Sequence, residues 1–153
     1  MYQLYRKQFL KCDLDHAWEF FSNPRNLQKI TPDYMGFKIK SGADKKAFAG
    51  QVISYTVSPL LNIPMEWVTE LTQVKDHHYF IDEQRFGPYK FWHHKHFFTK
   101  TTDGVLMEDV LDYKLPFGIP GKLVHTLYVK NKLKDIFDYR TEVLEELFNK
   151  NEQ

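Results

Sequence analysis

The sequence has little of what several functional classes require. Its one cysteine, Cys12, has no partner for an intrachain disulfide, so nothing indicates an oxidising compartment. No stretch approaches the roughly 20 apolar residues of a membrane span, and the N-terminus has no apolar run of signal-peptide length. We therefore expect a cytoplasmic protein without a membrane span.

Charge and short motifs exclude further classes. The 21 Lys and Arg residues nearly balance the 20 Asp and Glu residues, so the formal net charge is only +1. Such a chain lacks the broad basic face of a typical nucleic-acid binder, and we expect no nucleic-acid partner. There is also no glycine-rich phosphate loop and no nucleophile elbow.

The composition and the hydrophobic periodicity predict one α+β domain over residues 1–153. A hydrophobic fraction of 42% and an aromatic fraction of 16% are enough to build a core. The pattern indicates a strand, two short helices starting at Asp13 and at Asn23-Pro24, six strands, and a long helix from about Lys122 to Asn149. Short connections between the strands require antiparallel pairing. We predict about seven strands in a curved sheet wrapped on the C-terminal helix.

This architecture predicts a gap between its two layers. A sheet of this size twists and curls, whereas a long helix is nearly straight. The two shapes do not match along their whole length. The gap is therefore either filled by large side chains or left as a cavity for a ligand.

Two turn dipeptides predict which residues face that gap. If Asp103-Gly104 is a two-residue type I′ loop, His94 lies opposite Tyr113. If Gly87-Pro88 is also a two-residue loop, His94 lies opposite Ile81. The less polar of the two sheet faces is predicted to be the concave one, and a slip of one residue at either turn would reverse part of this assignment. Its members are Ile81, Glu83, Trp92, His94, His96, Phe98, Met107, Asp109, Leu111 and Tyr113.

Four ionisable residues, Glu83, His94, His96 and Asp109, stand out on this apolar face because buried charges are costly unless they are paired. One interpretation is structural: they bond to one another and make the core rigid. A second is that they hold the polar end of a ligand. A third is catalytic, with His94 or His96 as general base and Asp109 as its orienting partner.

A metal site is the less favoured interpretation of the same residues. His94 and His96 form a His-x-His pair, for which Glu83 or Asp109 is a conceivable third ligand. However, the sequence has no pair of cysteines and no His-Glu-x-x-His motif. We therefore predict neither a metal nor any other cofactor.

Several stretches together resemble the START-like, or SRPBCC, superfamily, which includes the birch-pollen allergens and polyketide cyclases. The resemblance is closest to the bacterial ligand-binding SRPBCC proteins and extends over nearly the whole chain. The matching stretches are Phe20-Phe21-Ser22-Asn23-Pro24, Asn26-Leu27, Ile30-Thr31-Pro32, Asp82-Glu83-Gln84, Gly87-Pro88-Tyr89, Trp92-x-His94-x-His96-x-Phe98, Met107-x-Asp109-x-Leu111-x-Tyr113-x-Leu115-Pro116 and Ile136-Phe137-x-Tyr139-Arg140.

The resemblance implies a helix-grip fold with a cavity between the sheet and the C-terminal helix. It also implies a small hydrophobic partner such as a lipid, a sterol or a polyketide. We therefore predict a binding protein, with a cyclase- or dehydratase-type enzyme as the first alternative. The second alternative is a protein-interaction module, since some relatives are described as cell division inhibitors. The predicted ligand-binding residues are Tyr55, Trp67, Ile81, Glu83, Trp92, His94, His96, Phe98, Met107, Asp109, Leu111 and Tyr113.

Overall fold

A computed structural model describes residues 1–58, 63–116 and 128–150. Seven strands form one antiparallel sheet with the order β1-β7-β6-β5-β4-β3-β2. This arrangement confirms the predicted seven-stranded α+β architecture. The strands are β1 Tyr2–Leu10, β2 Lys38–Ser41, β3 Gln51–Val57, β4 Met65–Lys75, β5 Tyr79–Phe86, β6 Phe91–Lys100 and β7 Val105–Lys114.

The first helices start at the residues that the sequence predicts. Asp13 caps the first helix by accepting a hydrogen bond from the His16 amide at 2.7 Å. Asn23 caps the next one by accepting from the Arg25 amide at 3.1 Å, with Pro24 at its first position. The helices are α1 Leu14–Phe21, two short 3-10 helices Pro24–Gln28 and Asp33–Met35, and α2 Lys130–Glu145, which continues as a π-helical segment Glu146–Lys150.

Helix α2 supplies the layer opposite the concave face of the sheet. Leu133 and Phe137 pack against Leu111 and Tyr113 of β7. Leu144, further along the helix, joins a second buried cluster that includes the β-strand residues Phe98 and Met107. The predicted part of this helix before Tyr128, with Val124 and Leu127, lies outside the described residues. None of the described helices is long and apolar enough to cross a membrane.

The predicted pairing of β6 with β7 is wrong by two residues, but the predicted faces are right. Lys100 rather than Thr102 lies opposite Val105, and His94 lies opposite Leu111 rather than Tyr113. The reason is the turn: Gly104 does not have the positive φ that a type I′ loop requires. A shift of two residues preserves the side-chain alternation.

The predicted pairing of β5 with β6 is wrong by one residue, and here the faces change. His94 lies opposite Asp82 instead of Ile81, and Glu83 lies opposite His93 instead of Trp92. The end of β5 is irregular, since its register with β4 shifts between Gln84 and Phe86. There the Gln84 side-chain amide bonds to the Tyr89 backbone across the turn. It donates to the Tyr89 carbonyl at 2.6 Å and accepts from the Tyr89 amide at 3.0 Å.

This slip exchanges two residues on the concave face. Asp82 lies opposite His94, where Ile81 was predicted, and Phe80 lies opposite His96. Ile81 pairs instead with Lys95 of the opposite face. Glu83 accepts hydrogen bonds from groups of that other face, namely Thr72, Arg85 and His93.

Candidate ligand-binding site

A pocket of about 150 Å³ lies between the concave face of β3–β6, the end of α1 with the segment that follows it, and helix α2. We call it the inner pocket. Most of its wall is aliphatic or aromatic. Its described lining residues are Phe20, Phe21, Ser22, Asn23, Pro24, Asn26, Leu27, Ile30, Ala47, Ile53, Tyr55, Thr69, Leu71, Phe80, Asp82, Trp92, His94, His96 and Arg140.

A compact group of four ionisable residues, which we call the Asp–His cluster, lies at one wall of the inner pocket. Asp82, His94 and His96 line the pocket, and Asp109 lies behind them. His94 and His96 alternate along β6, so both side chains project from the same face. Asp82 lies opposite His94 on β5, and Asp109 lies opposite His96 on β7. Three adjacent strands therefore fix the positions of the four side chains.

The distances within the Asp–His cluster are those of direct hydrogen bonds. His94 Nε2 lies 3.0 Å from Asp109 Oδ1, and His96 Nε2 lies 2.9 Å from Asp82 Oδ2. Because an ionised carboxylate only accepts, both imidazoles donate from Nε2. His94 Nδ1 then lies 3.5 Å from Asp82 Oδ2. His96 Nδ1 lies 2.8 Å from Asp109 Oδ1, but without the alignment of a hydrogen bond.

Burial disfavours the charged form of each group in this cluster. For the two carboxyl groups, interactions with the neighbouring histidines outweigh the effect of burial. Burial alone would raise the pKa of Asp109, but the hydrogen bond from His94 and the adjacent His96 imidazole hold this pKa well below its usual range. The pKa of Asp82 is lowered in spite of burial, first of all by the hydrogen bond from His96. Both carboxylates therefore stay ionised inside the fold.

The two imidazoles differ in their readiness to take a second proton. Burial and the neighbouring His96 lower the pKa of His94, and the carboxylates only partly offset this. Burial acts on His96 in the same direction, but Asp109 and Asp82 raise the pKa of His96 above its ordinary value. The added proton of the pair therefore resides on His96, while His94 stays neutral.

Aromatic and hydroxyl groups form the neighbouring wall. The Trp92 indole nitrogen donates to Asp82 Oδ1 at 3.3 Å, which links the cluster to the aromatic wall. Tyr55 Oη lies 3.0 Å from Thr69 Oγ1, which also accepts from the Trp67 indole at 3.0 Å. Burial is the main reason that the pKa of Tyr55 lies well above its usual range, so its hydroxyl keeps its proton.

Helix α2 contributes one charged group to the inner pocket, Arg140. Its relative exposure is only 9%, and its guanidinium lies 4.9 Å from the centre of the Phe137 ring. Its Nε atom is buried, with no hydrogen-bond partner in the part of the chain that the structure describes. The sequence signal for this residue is an arginine within the apolar stripe of α2 that includes Leu133, Phe137 and Leu144.

Of the residues predicted to bind a ligand, Tyr55, Trp92, His94 and His96 line the inner pocket. The others lie outside its described wall. Asp109 is behind the two imidazoles, and Trp67 packs beside Tyr55 and Trp92. Phe98, Met107, Leu111 and Tyr113 belong to the buried clusters under the helices, and Ile81 and Glu83 are displaced by the register of β5.

Most of the described lining residues are not among the predicted site residues, and two of these carry a charge, Asp82 and Arg140. A two-residue loop after β5 would place Asp82 on the polar face. No sequence pattern reveals that the Gln84 side chain bonds to the Tyr89 backbone across this turn. The periodicity identifies Arg140 only as one position on the packed face of the last helix.

Three groups of the cluster also form a possible metal-ligand set. Asp82, His94 and His96 offer ligand atoms that all lie within 4.8 Å of one another. Two imidazoles and a carboxylate suit Zn²⁺ and other transition metals. A cation bound here would have to replace the proton that His96 donates to Asp82. Glu83, considered as a third ligand from the sequence, is not in this group.

Comparisons with known proteins agree on the fold. No family model and no curated protein sequence matches the chain. Among solved structures, the protein TTHA0849 from Thermus thermophilus matches with a TM-score of 0.69 and 14% identity, covering 95% of each chain. Major latex-like protein 151 from Panax ginseng matches with a TM-score of 0.68 and 16% identity, covering 96% of this chain and 97% of that one.

A third similar structure is an enzyme. It is a point mutant of norcoclaurine synthase from Thalictrum in complex with a transition-state analogue, with a TM-score of 0.65 and 15% identity over 95% of each chain. Identities this low establish the architecture alone. The chain therefore has the helix-grip fold of these proteins, as the resemblance to the START-like superfamily implied.

Proposed function

We propose that this protein binds a small, largely apolar molecule in the inner pocket. The observation that carries the proposal is a mostly apolar pocket whose wall also presents a few fixed polar groups. Ligand sites commonly have this composition, with apolar surface for affinity and placed polar groups for orientation. Here Trp92 and Tyr55 supply aromatic surface, and Asp82 and His94 supply the polar wall.

The size of the inner pocket restricts the ligand. An apolar cavity of about 150 Å³ holds a molecule the size of benzene, and the inner pocket has about that volume. We therefore expect a ligand, or a ligand portion, of one ring rather than a sterol or a long acyl chain. This is narrower than the range of lipids and polyketides that the family resemblance implies.

The test compares two residues that are adjacent in β3 but face opposite ways. Ile53 is buried and lines the inner pocket, whereas Val52 is 52% exposed on the outer face. We expect calorimetric titration to show saturable binding of toluene to the wild type. In Ile53→Trp the new indole occupies the pocket, and we expect the affinity to fall by at least about tenfold. Val52→Trp should bind toluene as the wild type does.

Thermal unfolding of both variants controls for overpacking, which commonly costs about 1–3 kcal/mol. Undiminished binding by a folded Ile53→Trp protein would contradict the location of the site. Absence of saturable toluene binding in the wild type would contradict the proposal as a whole.

An acid–base enzyme of the cyclase or dehydratase kind is the second candidate. His94 favours it, because this neutral imidazole lines the inner pocket and donates to a carboxylate that would orient it. The geometry favours binding more, because the free nitrogen of His94 faces Asp82 at 3.5 Å. A substrate would have to displace that carboxylate to reach the base.

His94→Gln distinguishes the two candidates. A binding protein should keep its ligand with an affinity weakened by about 1–3 kcal/mol for a lost polar contact. An enzyme that uses His94 as general base should lose about 10²-fold or more of its turnover while it still binds substrate. Turnover that survives this substitution would remove His94 from any catalytic role.

A further inference from the structure

Arg140 is unlike the other arginines of this chain. Arg6, Arg25 and Arg85 each form a salt bridge with an exposed or half-exposed carboxylate, at 3.1 Å, 2.9 Å and 2.6 Å. Arg140 is the most buried of the four, and it forms no ion pair with any described residue. A buried cation without a counter-charge is costly, and proteins normally pair such groups.

The two internal stretches outside the described residues supply no carboxylate side chain for Arg140. Residues 59–62 and 117–127 contain no aspartate or glutamate.

The carboxylates of the Asp–His cluster are already engaged elsewhere. Asp109 and Asp82 accept hydrogen bonds from His94 and His96, which lie on the β6 side of the inner pocket. Arg140 enters the pocket from α2, in the opposite layer. The pocket therefore has a carboxylate group on its sheet wall and an unpaired guanidinium on its helix wall.

We propose that Arg140 binds the anionic group of the ligand, and that the natural ligand is a small carboxylic acid with a one-ring apolar body. The proposal rests on the proposed function and gives that ligand a chemical class. A planar guanidinium matches a carboxylate with two parallel hydrogen bonds. The negative charge of Asp82 repels an anion from the sheet wall, so the carboxylate of the ligand is directed to Arg140. A hydrogen-bond donor of the ligand would instead be directed to Asp82.

The test uses two probes of nearly the same shape, benzoate and benzamide. We expect the wild type to bind benzoate at least about tenfold more tightly than benzamide, as one additional charged contact requires. In Arg140→Met this preference should disappear, while toluene and benzamide still bind. Arg85→Met removes a surface arginine that is paired with Glu70 and Glu83, and it should keep the preference.

A second measurement separates a binding role from a structural one. An arginine held unpaired for a ligand destabilises the empty protein, so Arg140→Met should melt at the same temperature as the wild type or higher. A lower melting temperature would indicate that Arg140 serves the fold. Equal affinities of the wild type for benzoate and benzamide would overturn this inference alone. Failure of toluene, benzamide and benzoate all to bind would overturn the proposed function with it.

Discussion

Replacing Asp109 with asparagine should cost stability well beyond what the change in shape implies. The side chain keeps its size but loses the charge that accepts from His94 at 3.0 Å and lies 2.8 Å from His96 Nδ1. Breaking a buried charged pair commonly costs about 3–5 kcal/mol, and a charge-assisted hydrogen bond contributes about 1.5–3 kcal/mol. Since the amide oxygen still accepts one bond, we expect a loss of about 3 kcal/mol in the free energy of unfolding.

Asp112→Asn is the matched control for this experiment. Asp112 lies on the same strand but on the outer face, where it accepts from Lys95 at 2.7 Å and from Gln3 at 2.8 Å. Because this site is partly solvated, the loss should be about 0.2–1 kcal/mol. Urea unfolding followed by circular dichroism measures both variants.

The cost of Asp109→Asn should also depend on pH. The pKa of His96 is raised in the folded state, mainly by Asp109 against the effect of burial. The stabilisation from its proton is therefore fully present below the unfolded pKa of about 6.5 and is lost as the pH rises through the folded pKa. The pKa of Asp109 itself is lowered, so its own contribution persists throughout this range. We expect a larger deficit at about pH 6 than at about pH 9. Equal costs for Asp109→Asn and Asp112→Asn, or a deficit that grows with pH, would refute this reasoning.

Three further predictions concern the frame of the site. A Cβ atom on Gly104 would lie 2.3 Å from the Leu10 carbonyl oxygen, so Gly104→Ala should lower the free energy of unfolding by about 2 kcal/mol or more; an unchanged value would contradict the close packing. Asp13→Ala removes the side-chain cap of α1 and should lower the free energy of unfolding, measured with urea, by about 1 kcal/mol; an unchanged free energy would contradict the cap. Because the Asp–His cluster is joined by its own hydrogen bonds, EDTA should leave the melting temperature unchanged; a loss restored by Zn²⁺ would instead indicate a resident metal.

Local physical signals are enough to predict the architecture. The capping residues Asp13 and Asn23 predict the first two helices, and the change of hydrophobic period from 3.6 to 2 with the short turns predicts the strands. The 3-10 helix Asp33–Met35 is not predicted. The faces of β6 and β7 are also predictable, because side-chain alternation tolerates an error of two residues in register.

The composition of the site is harder to predict because it depends on one turn. The turn after β5 does not have the predicted two-residue form: the Gln84 side chain bonds across it to Tyr89, and the observed register puts Asp82 on the concave face. Neither hydrophobicity nor turn propensity reveals a side chain that bonds to the backbone across a turn. Arg140 is visible as a charge in an apolar stripe, but its lack of a partner depends on the tertiary packing of α2.

Nitrogen–proton correlation NMR during a toluene titration shows directly whether toluene binds in the inner pocket. The three tryptophan indoles lie in the pocket wall, next to that wall and on the packed face of helix α1, so each reports on a different place. Trp92 lines the inner pocket, and Trp67 packs against Trp92 with a ring separation of 5.0 Å. Trp18 belongs to α1 and packs against Phe98. We expect a saturable chemical-shift change that is largest for the Trp92 indole and smallest for the Trp18 indole. Saturable shifts that are largest at Trp18, or a Trp92 signal that does not move, would contradict this expectation.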